Sequence, residues 1–445
     1  MVDAGRAGIT PPSSALFPVP PGHPAYPVGT FGLILHEPFP APLLFHARTA
    51  YVDGMRVDEA ELRGIVEELA VLPRLPTSPG ERAAAARIRV LLEDAGWAAA
   101  TEQEQVFRSY AWPIGLLLAG AAAAGVAAGR GHRWVGVLGG AAAAAGIADD
   151  ITSGSMLARR LLMRRRTTDN VVAQLGDPAA PRTLCVMVHH DAAPSGVVFD
   201  QRPLAWLARR YPRMIEAVNT NPPLWWPVLA GPVLVASGGL AGSRWVRRAG
   251  LVLGGVSLAA MCDIGRRPAV PGANDNLSGV AAVVALAAEL RARPVDGLRV
   301  LIVSAGAEEA LQEGIRAFAE RHFDALPTAS TWFVNLDTVG SGRLVLLEGE
   351  GPIRMRDYDG RFKDVVAACA AAEGIPLVRG LRSRNSTDGV IPARAGYPTA
   401  TLVSIDERKL LPHYHLPSDL PEHVRYDSVA AAARLVAAVA RRLGT

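Results

Sequence analysis

Four apolar runs in this chain end on, or a few residues before, side chains able to carry a proton or hold a metal ion. Thr183 to Val188 (TLCVMV) runs into His189-His190-Asp191, and Leu298 to Ser304 (LRVLIVS) leads to Glu308-Glu309. Thr331 to Leu336 (TWFVNL) meets Asp337, and Thr399 to Ile405 (TATLVSI) lies a short loop before Tyr414-His415. Short apolar runs rich in β-branched residues read as buried strands. Strands are expected at 101–107, 170–175, 183–188, 298–304, 331–336, 344–348, near 377, and at 399–405. Between them lie segments of helical period, at 81–95, 278–292, 309–322, 360–373 and 427–442. Strands alternating with helices make an α/β fold, and such sheets gather functional side chains at the carboxyl ends of their strands. The chemical groups should therefore converge on one crevice.

A fifth motif, Asn274-Asp275-Asn276, precedes the helical segment at 278. Each motif has an ordinary structural reading. His-His-Asp is often a surface or capping cluster, a Glu pair favours a helix N-terminus, Asn-Asp-Asn is a reasonable N-cap, and His415 could be a solvated loop histidine. Together they supply imidazole and carboxylate, the ligands that divalent metals of this hardness take. Two metals a few Å apart also need a shared carboxylate.

The order and identity of these residues resemble the co-catalytic zinc aminopeptidases of metallopeptidase clan MH, whose relatives include bacterial leucine aminopeptidases, glutamate carboxypeptidases and glutaminyl cyclases. The family pattern reads H-x-D, G-A-x-D-N-x-S-G, E-E-x-x-x-x-G, N-x-D and a late Y-H-x-P-x-D. Here the matching stretches are HHD, GANDNLSG (272–279), EEALQEG (308–314), NLDTVG (335–340) and YHLPSD (414–419). LPTSPGER at 75–82 and the helix-like AAAARIRVLLEDAGW resemble the family's opening, so the likeness covers roughly residues 60–440 apart from two inserts. It implies the zinc-dependent exopeptidase fold, a mixed, mostly parallel sheet of about eight strands flanked by helices. It also implies two Zn2+ ions, with Asp275 bridging, His189 and Asp337 completing one site, and Glu309 and His415 the other. Asp191 would accept the second N–H of His189 and fix its tautomer. Glu308 would be the catalytic carboxylate, taking a proton from the attacking water and passing it to the leaving amine.

This chain departs from the pattern in places. His190 stands where an aromatic is usual, as a spare ligand or a wall residue. Leu311 replaces a frequent glycine, although Gly314 is kept. STDG (386–389) and AGYP (395–398) resemble the loop that shapes the family's substrate pocket, but the usual His after the Asp is missing. The substrate-binding residues therefore stay unassigned.

At 445 residues the chain can form one large α/β unit with a substantial core. The expected organisation is a Pro-rich arm at 1–56 and a zinc peptidase domain at 57–445, interrupted by inserts at 108–168 and 197–268. Half the residues are hydrophobic and only 20% are charged, which is apolar for a purely soluble enzyme. A net charge of +4, without an aromatic-interleaved basic patch or a phosphate-binding Gly loop, argues against nucleic acid as a partner. Three cysteines form no disulfide framework, and Cys185 and Cys262 are expected as buried free thiols. Residues 1–50 hold no charged region followed by an apolar one, so no secretory signal is expected.

The inserts distinguish this chain from its relatives. The first carries apolar stretches at 111–129 and 134–148, separated by Arg130-Gly131-His132-Arg133. The second lies in the 85 residues between His189 and Asp275 and carries stretches at 224–242 and 249–264, separated by SRWVRR (243–248). Both read as helical hairpins with basic turns. A spanning helix needs about 20 apolar residues, so two stretches are long enough and two are marginal. Of the eight tryptophans, Trp112, Trp134, Trp225, Trp226 and Trp245 lie at segment ends or in a turn, where interfacial belts occur. Gly238-xxx-Gly242 and Gly250-xxx-Gly254 permit close helix contact, and a homo-oligomer through the Gly/Ala-rich helices is compatible with them. The alternative is a soluble helical lid or dimerisation arm. The reading favoured is a multi-pass membrane protein with the lipid bilayer as partner. Arg108, Arg159, Arg160, Arg164, Arg165, Arg166, Arg266 and Arg267 on the domain side, against Arg130, Arg133, Arg244, Arg247 and Arg248 in the turns, lean towards a cytoplasmic catalytic domain.

The activity expected is that of a membrane-associated zinc exopeptidase, most simply an aminopeptidase, acting on a peptide or amide. Carboxypeptidase-type cleavage or glutaminyl cyclisation is the enzymatic alternative. A non-catalytic membrane receptor or scaffold on the same fold is the alternative outside enzymes. In the family fold the first strand and the strand ending at His189 run parallel, so the resemblance implies that both hairpins rise beside the crevice as a four-helix cluster.

Overall fold

Seven of the eight expected strands assemble into one sheet in a computed structural model that describes residues 57–444. The arm expected at 1–56 lies outside the described residues. Seven strands form the main sheet: β1 (Ala98–Phe107), β2 (Arg165–Leu175), β3 (Arg182–His189), β4 (Leu298–Ala305), β5 (Thr331–Leu336), β6 (Arg343–Leu346) and β10 (Thr399–Ile405). Between the last two, β7 (Gly349–Glu350), β8 (Arg356–Asp357) and β9 (Arg382–Ser383) form a small separate sheet. The main order is β1-β2-β4-β3-β5-β10-β6. Its four central strands are parallel and its outer pairings antiparallel, so the sheet is mixed as expected. The strand expected near 377 reduces to one bridge, Val378 to Val345. Pro376 has no N–H to offer a ladder, and Gly380, at φ 86°, turns the chain away.

The helices are α1 (Glu59–Ala70), α2 (Pro79–Asp94), α3 (Ala111–Gly129), α4 (Arg133–Ile151), α5 (Leu157–Leu162), α6 (Arg202–Arg210), α7 (Pro212–Ala217), α8 (Trp226–Leu240), α9 (Arg244–Ile264), α10 (Ser278–Ala292), α11 (Glu313–His322), α12 (Gly360–Ala372), α13 (Val390–Arg394) and α14 (Tyr426–Gly444). Strand alternation divides the core. Leu184, Val186 and Val188 of β3 pack with α1, α2, α10, α12 and α14, whereas Cys185 and Met187 face α11. Both faces are covered, which is why the central strands are apolar throughout. Cys185 and Cys369 are buried free thiols, but Cys262 is only half-buried because α9 turns that side outward.

A helix starting at 309 does not form. Glu308–Ala310 make a 3-10 turn, and Leu311 and Gln312 take left-handed backbone angles before α11 begins at Glu313. The kink folds α11 back onto the end of β4. There a Cβ on Gly314 would lie 1.9 Å from the Gly306 carbonyl oxygen, so no side chain fits.

Both inserts form hairpins, α3–α4 and α8–α9, that pack as one four-helix bundle. The C-terminus of β1 pairs with the N-terminus of β2, which lies beside the C-terminal end of β4. The second insert follows β3 directly, so the bundle stands on the edge where β3 and β4 end. Its glycines are used inside it: a Cβ on Gly231 would meet Gly254 Cα at 2.8 Å, and one on Gly250 the Val235 nitrogen at 2.7 Å. Helix limits differ from the apolar stretches. Pro222 and Pro223 delay α8 to Trp226, while Ser243 caps α9 so that Arg244–Arg248 join its first turns. Three of the helices, α3, α4 and α9, are long and apolar enough to cross a membrane. At 1.5 Å per residue they are about 28–31 Å long.

At its base the bundle is locked to the sheet domain by Arg159, which is fully buried. Its guanidinium meets Asp150 at 2.9 Å and Glu313 at 3.2 Å, and donates to the Ala310 carbonyl.

Candidate metal centre

The carboxyl ends of β3, β4, β5 and β10 deliver the site. β3 ends on His189, β4 runs into the Glu308 turn, Asp337 follows β5, and His415 follows β10 after a loop. Asp275 comes from the turn before α10 and closes the ring. The structure brings together all five residues expected as metal ligands, and every one is buried. Within each of two groups, His189–Asp275–Asp337 and Asp275–Glu309–His415, donor atoms lie within 4.8 Å of one another. Asp275 belongs to both. Its Oδ1 lies 3.3 Å from His189 Nε2 and its Oδ2 3.2 Å from His415 Nε2, so one carboxylate oxygen faces each imidazole. His415 Nε2 is also 3.2 Å from Glu309 Oε2.

Burial of so many acids has an electrostatic consequence. Burial pushes the Glu308 carboxyl well above its ordinary range; His189 opposes this, while Asp388, Glu309 and Asp337 add to it. Burial likewise raises Asp337 to about 7. Asp275 goes the other way: burial pushes it up, but hydrogen bonds from His189 and His415 outweigh that and hold it below the carboxylate range. Burial lowers the two imidazoles, yet carboxylates win. His415 stands at about 10 beside Glu309 and Asp275, and His189 is held well above its usual value by Asp191 and Asp275. A compact knot of buried acids that pulls both imidazoles upward is what a cation site looks like electrically. Nitrogen and carboxylate donors suit zinc, and Glu309 Oε1, buried without a hydrogen-bond partner, is one such donor. The residues present fit zinc, and Asp275 is common to two of the candidate donor groups.

Glu308 needs separate treatment. It also lies within reach of His189 and Glu309 as a possible ligand group. Its Oε1, however, accepts from Gln312 Nε2 at 2.9 Å, and that amide also donates to the Ser386 carbonyl at 2.9 Å. Gln312 Oε1 in turn accepts from the Ser153 hydroxyl at the foot of the first hairpin.

Asp191 does more than the sequence suggested. His189 Nδ1 lies 3.4 Å away without an aligned hydrogen bond, while the two Asp191 oxygens accept from the backbone N–H groups of Glu308 and Glu309, each at 3.0 Å. It thus aims the glutamate turn as well as facing the histidine. His190 points away from the acids, fully buried with Nδ1 2.9 Å from the Ser304 hydroxyl, as a wall residue.

Several positioning residues escaped sequence reasoning. Asp419, inside the YHLPSD stretch, accepts from the N–H groups of Asn274 and Asp275 at 2.9 and 3.1 Å. Arg74, fully buried, donates to the carbonyls of His190, Pro271 and Gly272, tying the first ligand strand to the Asp275 turn. Glu81 accepts from Ala307 N–H at 2.8 Å and braces the glutamate turn from behind. Arg74 precedes the LPTSPGER stretch and Glu81 lies within it, but nothing in local pattern shows where they reach. Asp388, in the STDG loop, is buried with neither carboxylate oxygen paired.

This sheet with its buried N/O donor ring defines a zinc-dependent exopeptidase fold. Residues 258–440 match the model of peptidase family M28, a span that contains Asp275, Glu308, Glu309, Asp337 and His415. The match bears out the resemblance to co-catalytic zinc peptidases, and with it the enzyme class. Among solved structures, the chain is similar to a Bacteroides thetaiotaomicron glutaminyl cyclase bound to N-acetylhistamine (TM-score 0.52, 14% identity, covering 87% of this chain and 99% of that one). It is also similar to LapB from Legionella pneumophila (TM-score 0.50, 12% identity, 87% and 73% covered). A third likeness is to a zinc aminopeptidase from Bacillus subtilis (TM-score 0.50, 13% identity, 86% and 95% covered). At these identities the structures speak for the fold. Comparison with curated proteins gives no match.

Proposed function

We propose that the chain is a membrane-associated aminopeptidase that holds two zinc ions, with Glu308 as general base. The observation that carries this is Asp275, which turns one oxygen towards His189 and the other towards His415. His189 and Asp337 would hold one ion, and Glu309 and His415 the other. Bound zinc supplies a Lewis acid that polarises a carbonyl and acidifies water. Glu308, raised by burial, is suited to take a proton at Oε2 and return it to a leaving amine, while Gln312 holds Oε1 in place. Asp191 keeps Glu308 and Glu309 on their separate tasks through their backbone N–H groups.

Support for the membrane comes from the bundle. Arginine–tryptophan pairs mark both of its ends: Arg133 over Trp134 and Arg244 over Trp245 at the turns, Arg266 over Trp112 and Arg384 over Trp226 at the domain. Such pairs suit two headgroup layers separated by a hydrocarbon slab. The domain end is linked to the site by Phe199, which clusters with Met261 and Ile264 of α9 and packs edge-on against His415 with ring centroids 4.5 Å apart. The cleft would then lie at the bilayer surface and take a membrane-bound or amphipathic peptide.

The test is Glu308→Gln in the purified chain. Hydrolysis of an aminoacyl-anilide should vanish while zinc stays near two per chain; loss of zinc with activity would make Glu308 a ligand and sink the assignment. N-acylated dipeptides and N-terminal glutaminyl peptides in the same assay separate the carboxypeptidase and cyclase readings. Wild-type zinc near zero would favour the receptor.

A further inference from the structure

Between β3 and α8 the chain runs as a strap, residues 197–221, built on the short helices α6 and α7. It is tied down at several places. Val197 N–H donates to Asp263 at the end of α9 at 2.8 Å, and the Gln201 amide donates to the Leu411 carbonyl. Lys409 Nζ donates to the carbonyl of Glu216 at 2.8 Å, with those of Val218 and Ile215 close by. Beyond α7, the Asn219 carbonyl accepts from Arg382 N–H at 2.8 Å, and Asn221 accepts from Arg384 N–H. The strap therefore joins the loop that leads to His415 to the loop that leads to Asp388.

Its inner face is modest: Ala208 is buried, Leu204 and Leu207 are half-buried. Its outer face carries exposed apolar groups. Trp206 is 57% exposed, Val197 72%, and Tyr211, Met214 and Val218 are also exposed. Among them stand Arg202, Arg209, Arg210 and Arg213, against the acids Asp200 and Glu216. Arg202 and Asp200 pair with each other at 2.6 Å, which leaves three arginines against Glu216. Across the bundle foot, α5 repeats the pattern with exposed Leu157, Leu161 and Leu162 beside Arg160.

We propose that this strap rests its arginine-and-aromatic face on anionic phospholipid, and that its hydrogen bonds pass the contact to the two loops bordering the cleft. The inference rests on the membrane reading above. The occupant follows from chemistry. Guanidinium groups pair with phosphate, and Trp and Tyr rings belong at headgroup depth. The strap also leaves the domain at the foot of the bundle, where a headgroup layer would lie. A short amphipathic helix with basic residues flanking one aromatic lies in such a layer rather than across it. Lys409 and Gln201 make the strap a lever: fixing it on lipid fixes the approach to His415.

Hydrogen–deuterium exchange of the full chain in lipid nanodiscs tests this without relying on activity. Amides of 202–218 should exchange at least about tenfold more slowly in discs containing phosphatidylglycerol than in discs of phosphatidylcholine alone, with slowing also at 409–413. The contrast should vanish in Arg209→Glu/Arg210→Glu/Arg213→Glu and in high salt, with α3 and α9 equally protected throughout. Equal exchange in the two lipids, with α3 and α9 protected, overturns the proposal alone. So does slowing that appears only when a protein partner is added. A chain that leaves the discs empty overturns the membrane reading and the proposal with it.

Discussion

Arg159→Met tests how firmly the bundle and the peptidase domain form one body. Arg159 has no exposed surface and neutralises two acids, Asp150 at 2.9 Å and Glu313 at 3.2 Å, both buried. Methionine keeps much of the volume but removes the cation paired with both carboxylates, leaving them only the weaker influence of Arg316. Breaking a buried pair in this way costs about 3–5 kcal/mol, because the stranded charge keeps its desolvation penalty. Unfolding entropy of roughly 2.1 cal/mol/K per residue, over the ordered domain, comes to about 0.8 kcal/mol per degree. Tm should therefore fall by about 4–6 °C, read by intrinsic fluorescence on the zinc-loaded, detergent-solubilised chain. Replacing all three, as Arg159→Met/Asp150→Leu/Glu313→Leu, should recover most of the loss, since a packed apolar cluster often equals a buried ion pair. A single variant whose Tm moves by less than about 1 °C would refute the claim that this cluster holds the bundle.

Other consequences can be checked in the same preparations. Glu308→Gln should lower kcat by about 10²–10⁴ or more with zinc retained, by metal analysis. Asp275→Ala removes the one carboxylate both ions would share, so zinc should drop towards zero rather than to one per chain; retention of one ion would mean that Asp275 is not the bridge. His190 is lowered to about 4, chiefly by burial, against 6.5 for a free imidazole. Between those values the unfolded chain takes up a proton that the folded chain does not, so stability is full above pH 6.5 and falls towards pH 4, by as much as about 3 kcal/mol. Denaturant titrations of wild type and His190→Gln should converge in slope if this is wrong.

What could be read from sequence follows from how local each signal is. The strands at 331–336 and 399–405 and the helix at 278–292 coincide with their apolar patterns because both neighbours of each element are dictated by the same buried sheet. The glutamate turn carries a helical pattern yet forms no helix there, since nothing in the residues Leu311 and Gln312 announces left-handed backbone angles. Apolar length misjudged α8, where prolines rather than hydropathy set the start. Ligand-type side chains were legible as chemistry. Arg74, Asp419 and Gln312 were not, because they act through contacts with segments distant in the chain, and a residue's own neighbours in sequence carry no trace of those.

The order of the elements along the chain has a consequence for how the protein comes into being. Both hairpins, 111–151 and 226–264, precede Asp275, Glu309, Asp337 and His415, and only His189 is synthesised between them. The sheet cannot close until β10 arrives, and the ring of ligands waits for the loop after it. A ribosome making this chain delivers the apolar helices first and the last ligand more than a hundred residues later, and domains fold as their parts emerge. The hydrolytic centre is thus completed only after the bundle has been made, so the nascent chain carries its four apolar helices through a stage at which it is still unable to cut anything.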